Sequence, residues 1–586
     1  MRVPRSPAIS FTPFLDEFRN YSILMFRNDL FAALAVALMT IPQSIAYSLL
    51  AGLPPTAGLY SAIFGTIFAA FFGSSRLLIS GPSTGTAILL QTAISDILYT
   101  YYGGAVGADV EALTLHILMQ FVVVMGLIQI GCAFCNVAKL LQFVSRPVVL
   151  GYFGGITVAI VITQIYGFTG VRPSEGDIPM LFKAAHFFFH LTEVDWRTLL
   201  VGCVSLFSLL ILRRTFKNWP NALIMLVGAS FLAAILNRWF EPSSVVVLGT
   251  FQLPSEPIPD FGFPLIDLKL ISKIFPAALA ISFLAILEVF SIARIFGAKS
   301  GQKVQVNQDI FSLGIANTAL SFFGGAMPAS GSITRTSLNF RLSAKTRCSA
   351  IFSGLFTAII ILFCWPLVKK IPLAALAALL MATVHTLTDW KEIKFSLKAT
   401  REDAWVFLLT FLSCLFFNLD VAFFIGIVIS IGTYLKKSAT PHLVEYAFNS
   451  KGRLITINPK DEVYRKIRII GIGGDLYFAT ADVFEAAMES VAEDRNVQSI
   501  VLRLNNVYHM DASMCLAILR LYESLKARGC HLVISGLTEE VWHVFHRAGL
   551  VKQIGLDNLY FTDESNPQFS TWKACLRSQE LIHKHK

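Results

Sequence analysis

The chain has 586 residues, 55% of them hydrophobic and only 15% charged, a balance that excludes an ordinary soluble enzyme and marks a polytopic membrane protein. The net charge is +10, yet residues 461–564 hold ten Lys and Arg against fifteen Asp and Glu, so the basic excess lies in the apolar part, where it sets topology and does not mark nucleic-acid binding. Nine scattered cysteines exclude a disulfide framework, and the C-x-x-C of Cys132 and Cys135 sits in an apolar run with no second pair to complete a metal site.

Residues 1–28, with Arg2, Arg5, Arg19 and Arg27, show no cleavage site and read as a cytoplasmic N-terminal tail. Apolar runs then predict fourteen spans, near 29–50, 55–73, 83–99, 112–135, 145–167, 195–212, 219–237, 273–295, 305–324, 329–342, 347–368, 370–388, 402–418 and 420–435. Counting from a cytoplasmic N-terminus, the inner loops are all basic, among them "RRTFK" (213–217), "RIFGAKSGQK" (294–303) and "KEIKFSLKATR" (391–401). Only Lys369-Lys370 falls on the outer side, so both ends of the transmembrane domain, residues 29–436, are expected in the cytoplasm.

The third and tenth spans are both broken by Gly and Pro, at "SGPSTGT" (80–86) and "GGAMPASGSITRT" (324–336). Weak segments at matching places of two halves are the mark of inverted repeats whose discontinuous helices meet near the bilayer midplane, here seven spans plus seven. Residues 437–460 read as a linker, 461–565 as a small α/β domain of alternating strands and helices, and 566–586 as a tail.

Pro82 suits the first turn of a helix starting inside the membrane, whose free N–H groups and the hydroxyls of Ser83, Thr84 and Thr86 would face the centre. The tenth span repeats this with Pro328, Ser330, Gly331, Ser332 and Thr334, and two helix N-termini aimed at one point make an anion site. Arg335 adds a full positive charge within the span, unless it snorkels to the interface or pairs with a structural carboxylate; burying it costs at least about 2.5–3.5 kcal/mol. Glu288 is a second charge well inside a span, either the carrier of a coupling proton or sodium ion or half of a permanent salt bridge. Thr40, Gln43 and Tyr47 share one face of the first span around Pro42 and could line the same cavity. Asp96 has too little context for a role. In the C-terminal domain Asp511 and Ser513 precede a helix, where a regulatory or phosphoryl site and a helix N-cap both fit. No G-x-x-x-x-G-K-[ST] is present, so ATP-driven pumping, metal and organic cofactors are not expected.

The stretches "DLFAALAVALMTIPQSIAYSLLAGLPPTAGLYSAIF" (29–64), "SGPSTGTAILL" (80–90) and "LEVFSIARIFGAKSGQKVQVNQDIFSLGIANTALSFFGGAMPASGSITRTSLN" (287–339), with the C-terminal α/β unit, resemble the sulfate permease (SulP) anion transporters with a STAS domain. The resemblance implies a fold of fourteen spans as a 7+7 inverted repeat with UraA-like core and gate domains, an elevator movement of core against gate, homodimers, and STAS domains open to a cytoplasmic protein partner. It places the anion on Gln43, Tyr47, the backbone of Ser83, Thr84, Gly85 and Thr86, and on Ser332, Thr334 and Arg335, and gives Glu288 the position where Glu resembles proton-coupled members and Asp sodium-coupled bicarbonate members. Ser83-Thr84-Gly85-Thr86 is more polar than many relatives' small apolar residues, which keeps bicarbonate or a C4-dicarboxylate beside sulfate. The expected function is therefore H⁺-coupled anion uptake, sulfate first, across a bacterial-type inner membrane. A nucleobase transporter, an anion channel or voltage-driven motor, and a STAS-based sensor are the competing classes.

Overall fold

The structure, a computed structural model, describes residues 9–11, 13–14, 21–103, 109–139, 144–172, 180–216, 220–240, 245–250, 257–264, 266–387, 389–449, 452–457, 466–494, 496–563 and 566–584. Arg2, Arg5 and Arg19 of the expected tail, Lys217 of the basic loop, and the expected domain edges at 461 and 565 lie outside them.

Helices fill all fourteen expected segments: α1 (Ile23–Leu50), α2 (Pro55–Phe72), α3 (Thr84–Thr100), α4 (Asp109–Phe134), α5 (Arg146–Thr169), α7 (Trp196–Thr215), α8 (Asn221–Trp239), α9 (Leu268–Ser300), α10 (Val306–Leu320), α11 (Ile333–Arg341), α12 (Cys348–Val368), α13 (Leu373–Leu387), α15 (Arg401–Phe416) and α16 (Leu419–Ser438). Two shorter helices, α6 (Met180–Phe189) and α14 (Trp390–Ala399), were not anticipated. Among the described residues nine helices are long and apolar enough to cross a membrane unaided. The other five, α3, α10, α11, α13 and α15, have seventeen residues or fewer. The nine residues of α11 rise only about 13 Å, under half of a hydrocarbon core.

Local chemistry sets the ends. α9 outruns its expected bounds on both sides because the Asp267 carboxylate accepts from the amides of Lys269 and Leu270, and Gly301 at φ +69° stops it. α2 contains one π-turn at Ser61–Gly65. Its Gly58 lies so close to α1 that the Ser48 hydroxyl accepts from the Gly58 amide at 2.6 Å.

The helices pack in two groups. α4 lies along α10 and α9, α10 along α2, α1 along α12 and α2, and α3 along α9. Separately, α5 packs on α15 and α13, and α7 on α13 and α8. α7, α8, α12 and α16 bury a third or less of their apolar windows, which leaves broad apolar faces suited to lipid.

Residues 431–586 form a second compact unit with its own core. Six strands run in the order β4–β3–β5–β6–β7–β8: β3 (His442–Phe448), β4 (Leu454–Thr456), β5 (Ile467–Leu476), β6 (Ser499–Met510), β7 (His531–Leu537) and β8 (Leu559–Phe561). β5 to β8 are parallel, with helices α17 (Phe478–Ala492), α18 (Ala512–Ala527), α19 (Glu539–Arg547) and α20 (Leu550–Ile554) between them. β3 and β4 are built from residues expected as linker; β3 pairs antiparallel with β5. The expected tail forms α21 (Phe569–Lys584), whose Ala574 packs on Ile469, Val501 and Val533 and covers the sheet's other face. A parallel sheet needs both faces covered, and α21 supplies the second cover.

Candidate functional site

Both breaks in the apolar runs are strands. β1 (Ser80–Gly81) pairs antiparallel with β2 (Ser330–Gly331), with Ser80 opposite Gly331 and Gly81 opposite Ser330. The pairing continues as Ser332 donates its amide to Ile79 O at 3.0 Å. Neighbours satisfy the rest of the broken backbone: Thr66 donates its hydroxyl to Ser80 O, and the Ile79 amide donates to the Thr336 hydroxyl at 3.0 Å. The Asn317 side chain accepts from Ala329 N at 2.7 Å and donates to Ala329 O at 3.1 Å. Non-helical backbone at membrane depth survives only when it is served in this way.

From this ribbon α3 and α11 start. Pro82 is not in the first turn as expected but precedes the N-cap, Ser83. The Ser83 hydroxyl accepts from Thr86 N at 3.3 Å, and the Thr86 hydroxyl donates to Ser83 O at 3.2 Å. Those two hydroxyls, expected to face an anion, thus serve the α3 cap, while Thr84 lies beside the Tyr47 phenol. α11 begins at Ser332, whose side chain caps nothing and lies 3.4 Å from the Thr334 hydroxyl, so its first amides keep no side-chain partner. Gly85 and Gly331 are close-approach positions: a Cβ on Gly85 would sit 3.1 Å from Glu288 Oε1, and one on Gly331 3.0 Å from Ile292.

Arg335 is fully buried. Its Nη2 donates to Pro82 O at 2.6 Å, while Nε and Nη1 have no partner. Gly81, at φ +149°, makes room for it, since a Cβ there would lie 2.7 Å from Nη1. Among the described residues no carboxylate is within ion-pair distance of Arg335. Glu288 is held elsewhere, accepting from the Ser330 hydroxyl, with Ser83 nearby. Arg335 and Glu288 thus form no salt bridge in this structure, and Ser330 serves Glu288.

Gln43 and Tyr47 of α1 face the same centre. Gln43 is 2% exposed with Oε1 unpartnered, and Tyr47 interacts electrostatically with Arg335 and Glu288. Thr40 drops out, because its hydroxyl donates to Val36 O at 2.7 Å. Gln43 and Thr334 open on a cavity of about 600 Å³. Its wall also holds Arg341 and Arg213, the latter expected in the basic inner loop 213–217. Asp96 lies near the end of α3 and interacts electrostatically with Asp420, away from the Arg335 centre. In the C-terminal unit Asp511 is an N-cap: its carboxylate accepts from Met514 N at 3.0 Å and Phe478 N at 2.7 Å, and Ser513 follows in the first turn of α18.

The profile of the sulfate permease family matches residues 26–410, and that of the STAS domain residues 458–565. The chain is 29% identical over 555 residues to the probable sulfate transporter 4.2 of Arabidopsis thaliana, covering 90% of this chain and 79% of that protein. It is 25% identical over 562 residues to the putative sulfate transporter YvdB of Bacillus subtilis, covering 93% and 98%. Its fold matches that of the murine solute carrier 26 member A9 anion transporter in the inward-facing state, with TM-score 0.86, 19% identity, and 99% and 97% of the two chains covered.

Proposed function

We propose that this chain, which belongs to the sulfate permease family of transporters, is a secondary active carrier that holds a small anion at Arg335 and couples its movement to H⁺ through Glu288. Members of this family are transporters and not enzymes. One observation carries the proposal: a fully buried guanidinium with two unpartnered nitrogens beside the uncapped start of α11. A buried charge without a counter-charge costs several kcal/mol, and an anion at this point repays it. Arg335 binds the anion, helped by the α11 amides, Thr334, Gln43 and the Thr84–Tyr47 pair.

Glu288 suits the coupling role because it is separate from the cation yet next to both helix starts. Protonation removes a negative charge beside the site, so anion and proton bind together. The two packing groups, α1–α4 with α9–α12 and α5, α7 and α8 with α13 and α15, support a core and a gate of an inverted seven-plus-seven repeat moving as an elevator. In this reading fourteen spans place both termini in the cytoplasm of a plasma-membrane homodimer, and the STAS domain meets a protein partner.

Sulfate is the first substrate, in line with the names of the relatives. Bicarbonate and C4-dicarboxylates remain the alternatives, since the Thr84 hydroxyl also suits a carboxylate. A buried cation disfavours an uncharged nucleobase. The test is uptake of labelled sulfate, bicarbonate and succinate into proteoliposomes, with and without an inward proton gradient. Gradient-dependent uptake of one anion that Glu288→Gln uncouples is expected; gradient-independent uptake, or large uncoupled currents, would remove the coupling claim.

A further inference from the structure

The cavity lined by Gln43 and by Thr334, the residue before Arg335, also carries Arg213. Arg213 ends the last turn of α7, and its Nη1 donates to Ala382 O of α13 at 2.9 Å. That bond fixes the guanidinium, and a guanidinium has further N–H donors to offer from the same plane. Among the described residues no carboxylate is within ion-pair distance of Arg213, although the side chain is partly buried and lines the cavity. It also interacts electrostatically with the Tyr47 phenol, as Arg335 does, so the phenol lies under the influence of two guanidiniums.

The groups around it are polar. Gln43, 2% exposed, lines the cavity with its Oε1 buried and without a partner, and Asn221, at the start of α8, lines it too while donating one N–H of its amide to Phe216 O at 3.0 Å. The Gln43 NH₂ and the second N–H of Asn221 are donors that an acceptor in the cavity can use. Thr334 adds a hydroxyl, and the exposed Arg341 adds charge to the wall.

We propose that Arg213 and Asn221, sharing Gln43 and Thr334 with the Arg335 site, form a second anion subsite that captures sulfate-like or carboxylate anions from the cavity before they reach Arg335. The assignment rests on the transport reading above. Its parts come from both packing groups: Arg213 and Asn221 from α7 and α8, Gln43 and Thr334 from α1 and α11. Movement of one group against the other dismantles the subsite, so it serves only the membrane face onto which this cavity opens.

That sidedness is the test. The full chain is reconstituted in one orientation, and the KM for labelled sulfate is measured from each face for the wild type, Arg213→Gln, Arg213→Lys and Asn221→Ala. Loss of a charge-assisted hydrogen bond predicts that Arg213→Gln raises KM about ten- to a hundredfold from the cavity face alone. Arg213→Lys, which keeps the charge, recovers most of it, and Asn221→Ala gives a smaller rise on the same face. All three variants keep the melting temperature within a few degrees. An unchanged KM for Arg213→Gln, or equal changes on both faces, overturns the subsite while leaving Arg335 as the transport site. A wild type that carries and binds no anion overturns the transport reading and the subsite with it.

Discussion

Replacing Arg335 by Met separates the stability and the binding roles of the buried charge. In the folded chain Arg335 has one hydrogen bond, to Pro82 O, and two nitrogens without a partner. Exchanging a buried charge that lacks a counter-charge for an apolar side chain of similar length removes its desolvation cost, and the comparable exchange of a buried ion pair is neutral to stabilising by about 1–4 kcal/mol. Leaving the Pro82 carbonyl unpaired costs about 1–3 kcal/mol in return. The two nearly cancel, so the melting temperature of purified Arg335→Met without added anion should stay within a few degrees of wild type. Anion binding behaves differently. Two charge-assisted hydrogen bonds, at about 1.5–3 kcal/mol each, amount to a loss of about a hundred- to ten-thousandfold in affinity. Thermal shift with increasing sulfate and proteoliposome uptake measure both arms on one preparation. A variant that unfolds readily without anion, or one that still binds and carries sulfate like the wild type, would refute the reasoning.

Gly81→Ala puts a Cβ 2.7 Å from Arg335 Nη1 at φ +149°, so it should cost about 1–3 kcal/mol of stability and impair uptake, whereas Gly228→Ala, within α8, meets nothing within 4 Å and should leave uptake intact. In the isolated C-terminal unit, Asp511→Ala removes the acceptor for Met514 N and Phe478 N and should lower stability by about 0.5–2 kcal/mol in urea, while a phosphoryl role would leave stability unchanged. The same unit should lose stability as pH rises above about 9. Burial pushes the Cys575 thiol up to about 12, and burial with the nearby Asp511 pushes Cys515 up to about 11, so above 9 the unfolded chain releases protons that the folded one keeps. Urea titrations between pH 7 and 10 check the sign, and Cys575→Ala should flatten the slope.

What could be read beforehand was local. Gly81-Pro82 and Pro328 break apolar runs, and Arg335 stands out as a charge where charges are costly, so the breaks and the buried cation were visible. The β1–β2 ribbon was not, since its partners lie some 250 residues apart, although the Ser-Gly dipeptide occurs in both breaks. Ser83 and Thr86 were assigned to a ligand because both are hydroxylated, yet their spacing of three is that of an N-cap, which the structure shows. Arg213 looked like a topology signal at the end of a span; only the convergence of α1, α7, α8 and α11 turns it into a cavity residue. α21 was passed over as a tail because the small residues it buries, Ser570, Thr571, Ala574 and Ser578, give little hydrophobic signal.

The central claim is that an anion sits at Arg335. Selenate, an oxyanion of sulfate geometry, locates it directly by anomalous scattering at the selenium edge from crystals of the full chain. The account predicts a peak in contact with the Arg335 guanidinium at Nε or Nη1, beside the start of α11. Occupied selenate elsewhere in the chain with none at Arg335 would contradict it.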